Sequence, residues 1–391
     1  MRTFLVSLVC LLLAPVAIAQ KRDSAPAPGD PFAGLTAEQR DAFNEGRADF
    51  SEVETVSDGL GPVFNERSCA ACHTTPATGG GSTRFVTRFA RVTASGFDPL
   101  VSLGGTLIQD HAIGLADGSP HAFVAESVPP AANLIVKRRT TPLFGLGLVD
   151  ATPDAGFVAL AQAQAARADG IRGRVNFVDN IRAGMKTAGK FGWKAQVPSL
   201  LQFAGDAYLN EMGITSADFP NENCPQGDCA ELAFNPAPGI NEDGPGIEAL
   251  HAFMTMLAPP PRGPEGGEVN AGEALFERVG CAECHVATLR TGHNPIAALD
   301  RKTYHPYSDF LIHDMGALGD GLEMGDAKGS EMRTTPLWGL RFVTAYLHDG
   351  RAATLEEAIL AHDGEARAAR DRFAALDANR RAKLLAFLRS L

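Results

Sequence analysis

Tryptophan and tyrosine are scarce here, with 2 Trp and 4 Tyr against 22 Phe in 391 residues. A base-stacking surface built on Tyr and Trp rings is therefore not supported. Positive charge is also in deficit, with Lys+Arg 35 against Asp+Glu 46 and a formal net charge of −11. Gripping a phosphate backbone needs clustered cations, so no nucleic acid partner is expected. After the N-terminal segment no stretch approaches the roughly 20 apolar residues of a membrane span. Alternating runs of strand length are few. What remains, with 45% hydrophobic residues, 41 Gly and 25 Pro, is the composition of a loop-rich globular chain whose length suggests two domains.

The N-terminus reads as an export signal. Arg2 precedes an almost unbroken apolar run from Phe4 to Val16, and Ala17-Ile18-Ala19 has the small-x-small form of a signal-peptidase site. Residues 1–19 are expected to be cleaved after Ala19, taking Cys10 with them and leaving a periplasmic chain with no membrane span.

Six cysteines then remain, in three close pairs: Cys69-Ala70-Ala71-Cys72-His73, Cys224-Pro225-Gln226-Gly227-Asp228-Cys229, and Cys281-Ala282-Glu283-Cys284-His285. Two of the pairs are C-x-x-C-H, the attachment signature of c-type haem. Two thiols add across the two vinyl groups of one porphyrin, and the adjacent His then lies under the ring where it can ligate iron. Cys69, Cys72, His73, Cys281, Cys284 and His285 are thus expected to hold two covalently bound haem c groups, with His73 and His285 on the irons. A zinc site or a structural disulfide is the competing use of C-x-x-C. Cys224 and Cys229 lack a following His, and in an oxidising compartment most simply close a short loop as a disulfide.

The chain repeats itself. Phe64 and Phe276 each lie five residues before a motif. Leu107-Ile108-Gln109-Asp110-His111 is matched by Leu311-Ile312-His313-Asp314-Met315, each soon followed by Asp-Gly (Asp117-Gly118 and Asp320-Gly321). Arg139-Thr140-Thr141-Pro142-Leu143-Phe144-Gly145-Leu146 is matched by Arg333-Thr334-Thr335-Pro336-Leu337-Trp338-Gly339-Leu340. Matched blocks in one order indicate a duplicated domain. The expected fold is mainly α, with two tandem cytochrome-c-like haem domains, 20–258 and 267–391, long loops and a Pro-rich linker at 259–266. Residues from about 150 to 241 have no counterpart and form an insertion in the first domain. Thr36 with Gln39 and Thr354 with Glu357 read as capping boxes, and Asp377 as the cap of the last helix.

Several segments resemble the di-haem c-type oxidoreductase family, whose members are named as peroxidases by analogy. They are the two C-x-x-C-H sites, Tyr304-His305-Pro306-Tyr307-Ser308-Asp309, Thr335-Pro336-Leu337-Trp338-Gly339-Leu340, Tyr346-Leu347-His348-Asp349-Gly350-Arg351, Gly189-Lys190-Phe191-Gly192-Trp193-Lys194-Ala195 and Asn221-Glu222-Asn223-Cys224. The family is related to the bacterial di-haem cytochrome c peroxidases and to the methylamine dehydrogenase maturation enzyme. The resemblance covers nearly the whole mature chain, and it implies two c-type haems, one accepting electrons and the other meeting peroxide.

The sixth iron ligand decides what each haem can do: a Met raises the potential and suits electron transfer, whereas peroxide needs an open position. The repeat aligns His111 with Met315, which makes Met315 the expected ligand of the second haem and His111 the corresponding candidate at the first. Met332 is the rival of Met315, from its resemblance to the ligand position in the peroxidases. His305, His313 and His348 are read as hydrogen-bonding residues of the haem surroundings. Gln109, His111 and Glu126 have the residue types that peroxide cleavage needs on the distal face. Trp193 is the candidate relay between haems that the resemblance suggests, and Trp338 reads as packing. Relatives bind calcium between domains, for which Asn241-Glu242-Asp243-Gly244 could supply oxygens, although a solvated acidic turn accounts for it as well. The expected activity is peroxidase-like oxidoreduction. The partners are a small donor, a cytochrome c or cupredoxin with a basic docking face, and peroxide or another small substrate. A non-enzymatic di-haem electron carrier is the alternative, and oxidation of a protein or organic substrate a third reading.

Overall fold

The computed structural model describes residues 26–115 and 120–391, so the expected signal peptide and the Asp117-Gly118 pair lie outside the described residues. The elements in chain order begin with α1 (Ala37–Ser51), β1 (Val63–Phe64), α2 (Cys69–Cys72), β2 (Phe85–Thr93), β3 (Gly96–Asp98), β4 (His111–Ala112) and β5 (Leu134–Arg139). Next come α3 (Leu146–Asp150), α4 (Asp154–Ala165), β6 (Phe177–Asn180), β7 (Met185–Ala188), α5 (Leu200–Met212) and α6 (Pro245–Met256). The remainder is α7 (Gly267–Val279), β8 (Leu289–Arg290), β9 (Thr303–Tyr304), β10 (Ile312–Asp314), β11 (Glu331–Arg333), α8 (Leu355–Leu360), α9 (Arg367–Ala374) and α10 (Ala378–Leu388).

Helices build both cores, and the same device is used twice. The Thr36 hydroxyl accepts from Gln39 N–H in a capping box that starts α1, whose Phe43 and Phe50 turn inward. They meet Phe253 of α6 at ring distances of 5.2 and 4.8 Å. Gly46 sits where any Cβ would strike the Ala249 carbonyl, so its bare backbone sets the closeness of that crossing. In the second half α7 crosses α10, and Gly272 meets the Lys383 carbonyl in the same way. Phe276 packs on Phe387 at 5.2 Å. Asp377 caps α10 through Arg380 N–H, and the Thr354–Glu357 capping box starts α8, as the sequence suggests.

The larger hydrophobic cluster gathers α1, α3, α5 and α6 and extends to Leu299, Tyr304, Phe310 and Leu311 of the second half. The smaller one lies among α7, α8, α9 and α10. One antiparallel sheet, in the order β3-β2-β5, is longer than the sequence suggests, pairing Phe85 with Arg139 through Ala90 with Leu134. Its source is the aromatic and β-branched content of Phe85–Thr93, a segment that is only half buried and so lacks clean alternation.

The 150–241 segment faces both halves. Its α5 packs on α6 and β1. Between α4 and α5 it runs along the second half, where Arg174 pairs with Glu331 and trades main-chain hydrogen bonds with Ile312. Among the described residues no helix is long and apolar enough to cross a membrane.

Candidate haem-binding sites

Each C-x-x-C-H motif is one short helical turn. At the first, Cys69 and Cys72 are free, and burial pushes their thiols up to about 12 and about 11. His73 follows, its Nδ1 donating to Gly80 O at 3.0 Å and its ring edge-on to Phe50. The turn that carries Gly80 is closed by Gly79 N–H to His73 O, 2.9 Å. Burial drives the His73 imidazolium down to about 4.

The second motif repeats this chemistry. Cys281 and Cys284 are free, and burial pushes Cys281 up to about 12. His285 Nδ1 donates to Tyr307 O at 2.9 Å, and burial drives its imidazolium down to about 4. Main-chain bonds from Ser308 to Val286 and from Asp309 to Cys284 lace the 307–309 segment onto the motif.

His73 has the Thr141 carbonyl as a second partner beside Gly80. A carbonyl can only accept, so the Nδ1 that faces one carries the proton, which at His285 leaves Nε2 its lone pair. That is how metal-ligating histidines are oriented. Two thiols and one oriented neutral imidazole at each turn fit the requirements of a haem joined through two side chains.

On the chain facing the first motif, β4 pairs with β1 so that His111 lies opposite Phe64, and the two rings stack at 5.7 Å. His111 is exposed, its Nδ1 donating to Asp110 Oδ1 at 2.7 Å. Gln109 and Glu126 are brought together: Gln109 N–H donates to Glu126 Oε2 at 2.8 Å, and Glu126 Oε1 accepts Gln226 N–H at 2.6 Å. Burial raises the Glu126 carboxyl. Gln226 sits in the loop closed by the Cys224–Cys229 disulfide, so that bridge holds the Glu126 segment. The Gln109 amide donates to Asn210 O at 2.7 Å, and its Oε1 is buried without a hydrogen-bond partner.

At the second motif, β10 pairs with β11 and sets His313 opposite Met332. Met332 is buried. Met315 is half-buried, its N–H on Ser330 O at 2.9 Å. The His313 ring is occupied at both nitrogens, with Asp309 Oδ2 at 2.9 Å from Nε2 and Glu365 Oε2 at 2.8 Å from Nδ1. Burial opposes its charge, but Asp309, Cys284 and Glu365 outweigh that and hold it well above the usual range. His305 bonds Thr288 at 3.1 Å, and the His348 carbonyl accepts Arg139 N–H at 2.7 Å.

Trp193 joins the two repeated blocks. Its Nε1 donates to Arg139 O at 3.0 Å, and its carbonyl accepts Arg333 N–H at 2.8 Å. It lines a cavity of about 160 Å³ shared with Pro142, Pro336 and Trp338. Trp338 packs near Tyr304, 6.1 Å between rings. At 241–244 the oxygens are locally engaged: Asn241 Oδ1 accepts from Thr215, and Glu242 Oε1 accepts the N–H groups of Gly244 and Gly246.

Two residues escape the sequence reading. Gln164 of α4 is buried and donates to Glu283 O, inside the second motif, at 3.0 Å, and to Asp309 Oδ2 at 2.8 Å. His362 donates from Nδ1 to Ala358 O at 2.8 Å, the same main-chain anchoring as His73 and His285, and lies within electrostatic reach of His285. Its segment is wedged against Met315, with Ala317 N–H on Asp363 and Asp314 N–H on Glu365, both 3.3 Å. The repeat hides it, because no histidine stands at a corresponding place in the first copy.

Comparison with solved structures returns distant likenesses. These are a Kuenenia stuttgartiensis hydrazine synthase (14% identity, 100% of each chain, TM-score 0.41), a MauG-like protein associated with microbial copper homeostasis (17%, 94% and 93%, 0.40) and the diheme peroxidase BthA of Burkholderia thailandensis (15%, 90% and 86%, 0.39). No curated protein matches at a significant level. Residues 131–391, which include the second motif, match the family described as "Di-haem oxidoreductase, putative peroxidase". The chain therefore belongs to the di-haem oxidoreductase family and is a haem-dependent oxidoreductase.

Proposed function

We propose that the chain is a periplasmic di-haem c-type oxidoreductase that reduces peroxide. Two cytochrome-c-like domains, 20–258 and 267–391, each carry one haem joined through Cys69 and Cys72 or through Cys281 and Cys284. The observation that carries this reading is the pair of free-thiol turns whose histidines are both neutral and both oriented by a main-chain carbonyl. When bound, the haem of the second domain would supply electron-accepting chemistry, with a cytochrome c or cupredoxin as donor, and that of the first would supply peroxide-reducing chemistry.

The protein's own groups do the rest. Reduction of peroxide to two waters consumes two electrons and two protons. Glu126, with its carboxyl raised by burial and held by Gln109 N–H, is suited to hold and move a proton, and the Gln109 amide to polarise the oxygens. Trp193 spans the two Arg-Thr-Thr-Pro blocks, which suits it to electron relay. His111 would be the candidate to cover the first iron: it is exposed, and its one side-chain hydrogen bond, to the flanking Asp110, and its stacking on Phe64 would leave it displaceable. As a further ligand to the second haem, Met315 would be the residue of the repeat and Met332 its rival. His362 has the better support, because its ring is already oriented as the proximal histidines are.

The test is stoichiometric. The reduced, haem-loaded protein should be oxidised rapidly by hydrogen peroxide, two electrons per peroxide, and Glu126→Gln should slow that step by about 10²-fold or more. Reduced protein that stays reduced in peroxide would leave the electron-carrier alternative.

A further inference from the structure

The segment from Asp320 to Glu331 folds round the ammonium of Lys194, with Arg138 and Arg174 bonded at its margins. Gly321 N–H bonds Gly329 O at 3.0 Å, Met324 and Ala327 exchange main-chain bonds at 3.1 Å, and Asn176 Oδ1 accepts Asp326 N–H at 3.0 Å. Inside this loop three carbonyls converge on the Nζ of Lys194: Glu331 O at 2.6 Å, Lys328 O at 2.9 Å and Gly329 O at 3.3 Å. Asp320 Oδ1 completes the set at 3.1 Å. The Lys194 side chain is 0% exposed, as is that of Asp320. Arg138 of β5 takes the other oxygen of the same carboxylate, with Nε at 2.8 Å and Nη2 at 2.6 Å.

Main-chain carbonyls and a carboxylate turned toward one point are the donor set of a hard cation site. Oxygens so aligned and cut off from water repel one another unless a cation sits among them. An ammonium brings three N–H donors to four oxygens, which saturates it. The lysine comes from the inserted segment, Asp320 and the carbonyls from the second half, and Arg138 from the sheet of the first.

We propose that the Asp320–Glu331 loop is a cation-binding site whose resident ion is the tethered ammonium of Lys194, and that the loop accepts a free small cation, ammonium or methylammonium, once that side chain is shortened. The site stands apart from the peroxide chemistry proposed above. Only one consequence rests on that reading: Trp193 is the preceding residue, so the same pin holds the indole between the two blocks.

Thermal unfolding of the haem-loaded protein tests this in ammonium, methylammonium and calcium chlorides against sodium chloride of equal ionic strength. The native protein should melt at one temperature in all of them and be indifferent to a chelator. Lys194→Ala should melt about 4 °C or more lower. Its melting point should then climb with the logarithm of ammonium or methylammonium concentration, as it does for any ligand that binds only the folded state. A Lys194→Ala protein that melts with the native one, or that responds to ammonium no more than to sodium, overturns the proposal. Should Lys194→Ala not accumulate, Lys194→Gln keeps N–H donors but no charge, and it must melt below the native protein and ignore added cations. Equality with the native protein would show that no charge is needed there. Peroxide reduction enters none of these readings, so the site and the enzymatic function fail separately.

Discussion

Replacing Gln164 by leucine tests whether the inserted segment props up the second haem motif. Gln164 is 4% exposed on α4 and makes three hydrogen bonds across the molecule. Its amide donates to Glu283 O at 3.0 Å and to Asp309 Oδ2 at 2.8 Å, and its Oε1 accepts Gly173 N–H at 2.9 Å. Leucine fills nearly the same volume, so the cavity contribution is small and the loss is polar. Asp309 keeps His313 and Leu311 N–H as partners, but Glu283 O and Gly173 N–H lose theirs. Two stranded main-chain groups and one weakened charged bond amount to about 3 kcal/mol. For a chain of this size that lowers the melting point by about 4 °C in calorimetry of the haem-loaded protein. Gln162→Leu, on the exposed face of the same helix, should stay within about 0.5 kcal/mol. A Gln164→Leu loss no greater than that of Gln162→Leu would refute the idea that α4 braces the motif.

Removing Cys69 and Cys72 together should lower the covalent haem content from two to one per chain in a pyridine haemochrome assay, whereas Cys224→Ser with Cys229→Ser should leave it at two. The latter pair should cost about 2 kcal/mol of stability, measured by denaturant unfolding, because the short loop regains its freedom in the unfolded chain. Glu222 predicts a pH effect: burial pushes its carboxyl up to about 8, and its Oε2 is buried without a partner. The folded protein thus keeps a proton that the unfolded chain loses from about pH 4.3 upward, so stability falls as pH rises toward 8. Glu222→Gln keeps the acceptor for Asn223 N–H, and its melting point should match the native value near pH 4 and exceed it at pH 8.

Features with local causes were legible in the chain itself. The C-x-x-C-H turns, the Thr36 and Thr354 capping boxes, the Asp377 cap and the Cys224–Cys229 bridge each involve residues within a few positions of one another. The Gly46 and Gly272 crossings were not, since nothing nearby marks a glycine that meets a backbone two hundred residues away or a hundred. Gln164, Lys194 and His362 fall in the same class. Lys194 looks like any surface lysine until Asp320 and three carbonyls from beyond residue 320 close round it. The repeat also drew attention to Met315 by alignment, while His362 owes its orientation to the end of a helix that the comparison did not reach. The sheet of β2 and β5 was missed because its long strand is half-exposed on both faces.

The central claim is that the two haems divide the work. Electron paramagnetic resonance of the haem-loaded protein, fully oxidised and then half-reduced, with and without hydrogen peroxide, tests it most directly. The account predicts one low-spin haem that becomes high-spin in His362→Ala but not in Met315→Ala. It also predicts a second haem that is high-spin, or becomes so on half-reduction, and whose signal changes on adding peroxide. Two low-spin haems in every state, indifferent to peroxide, would contradict it.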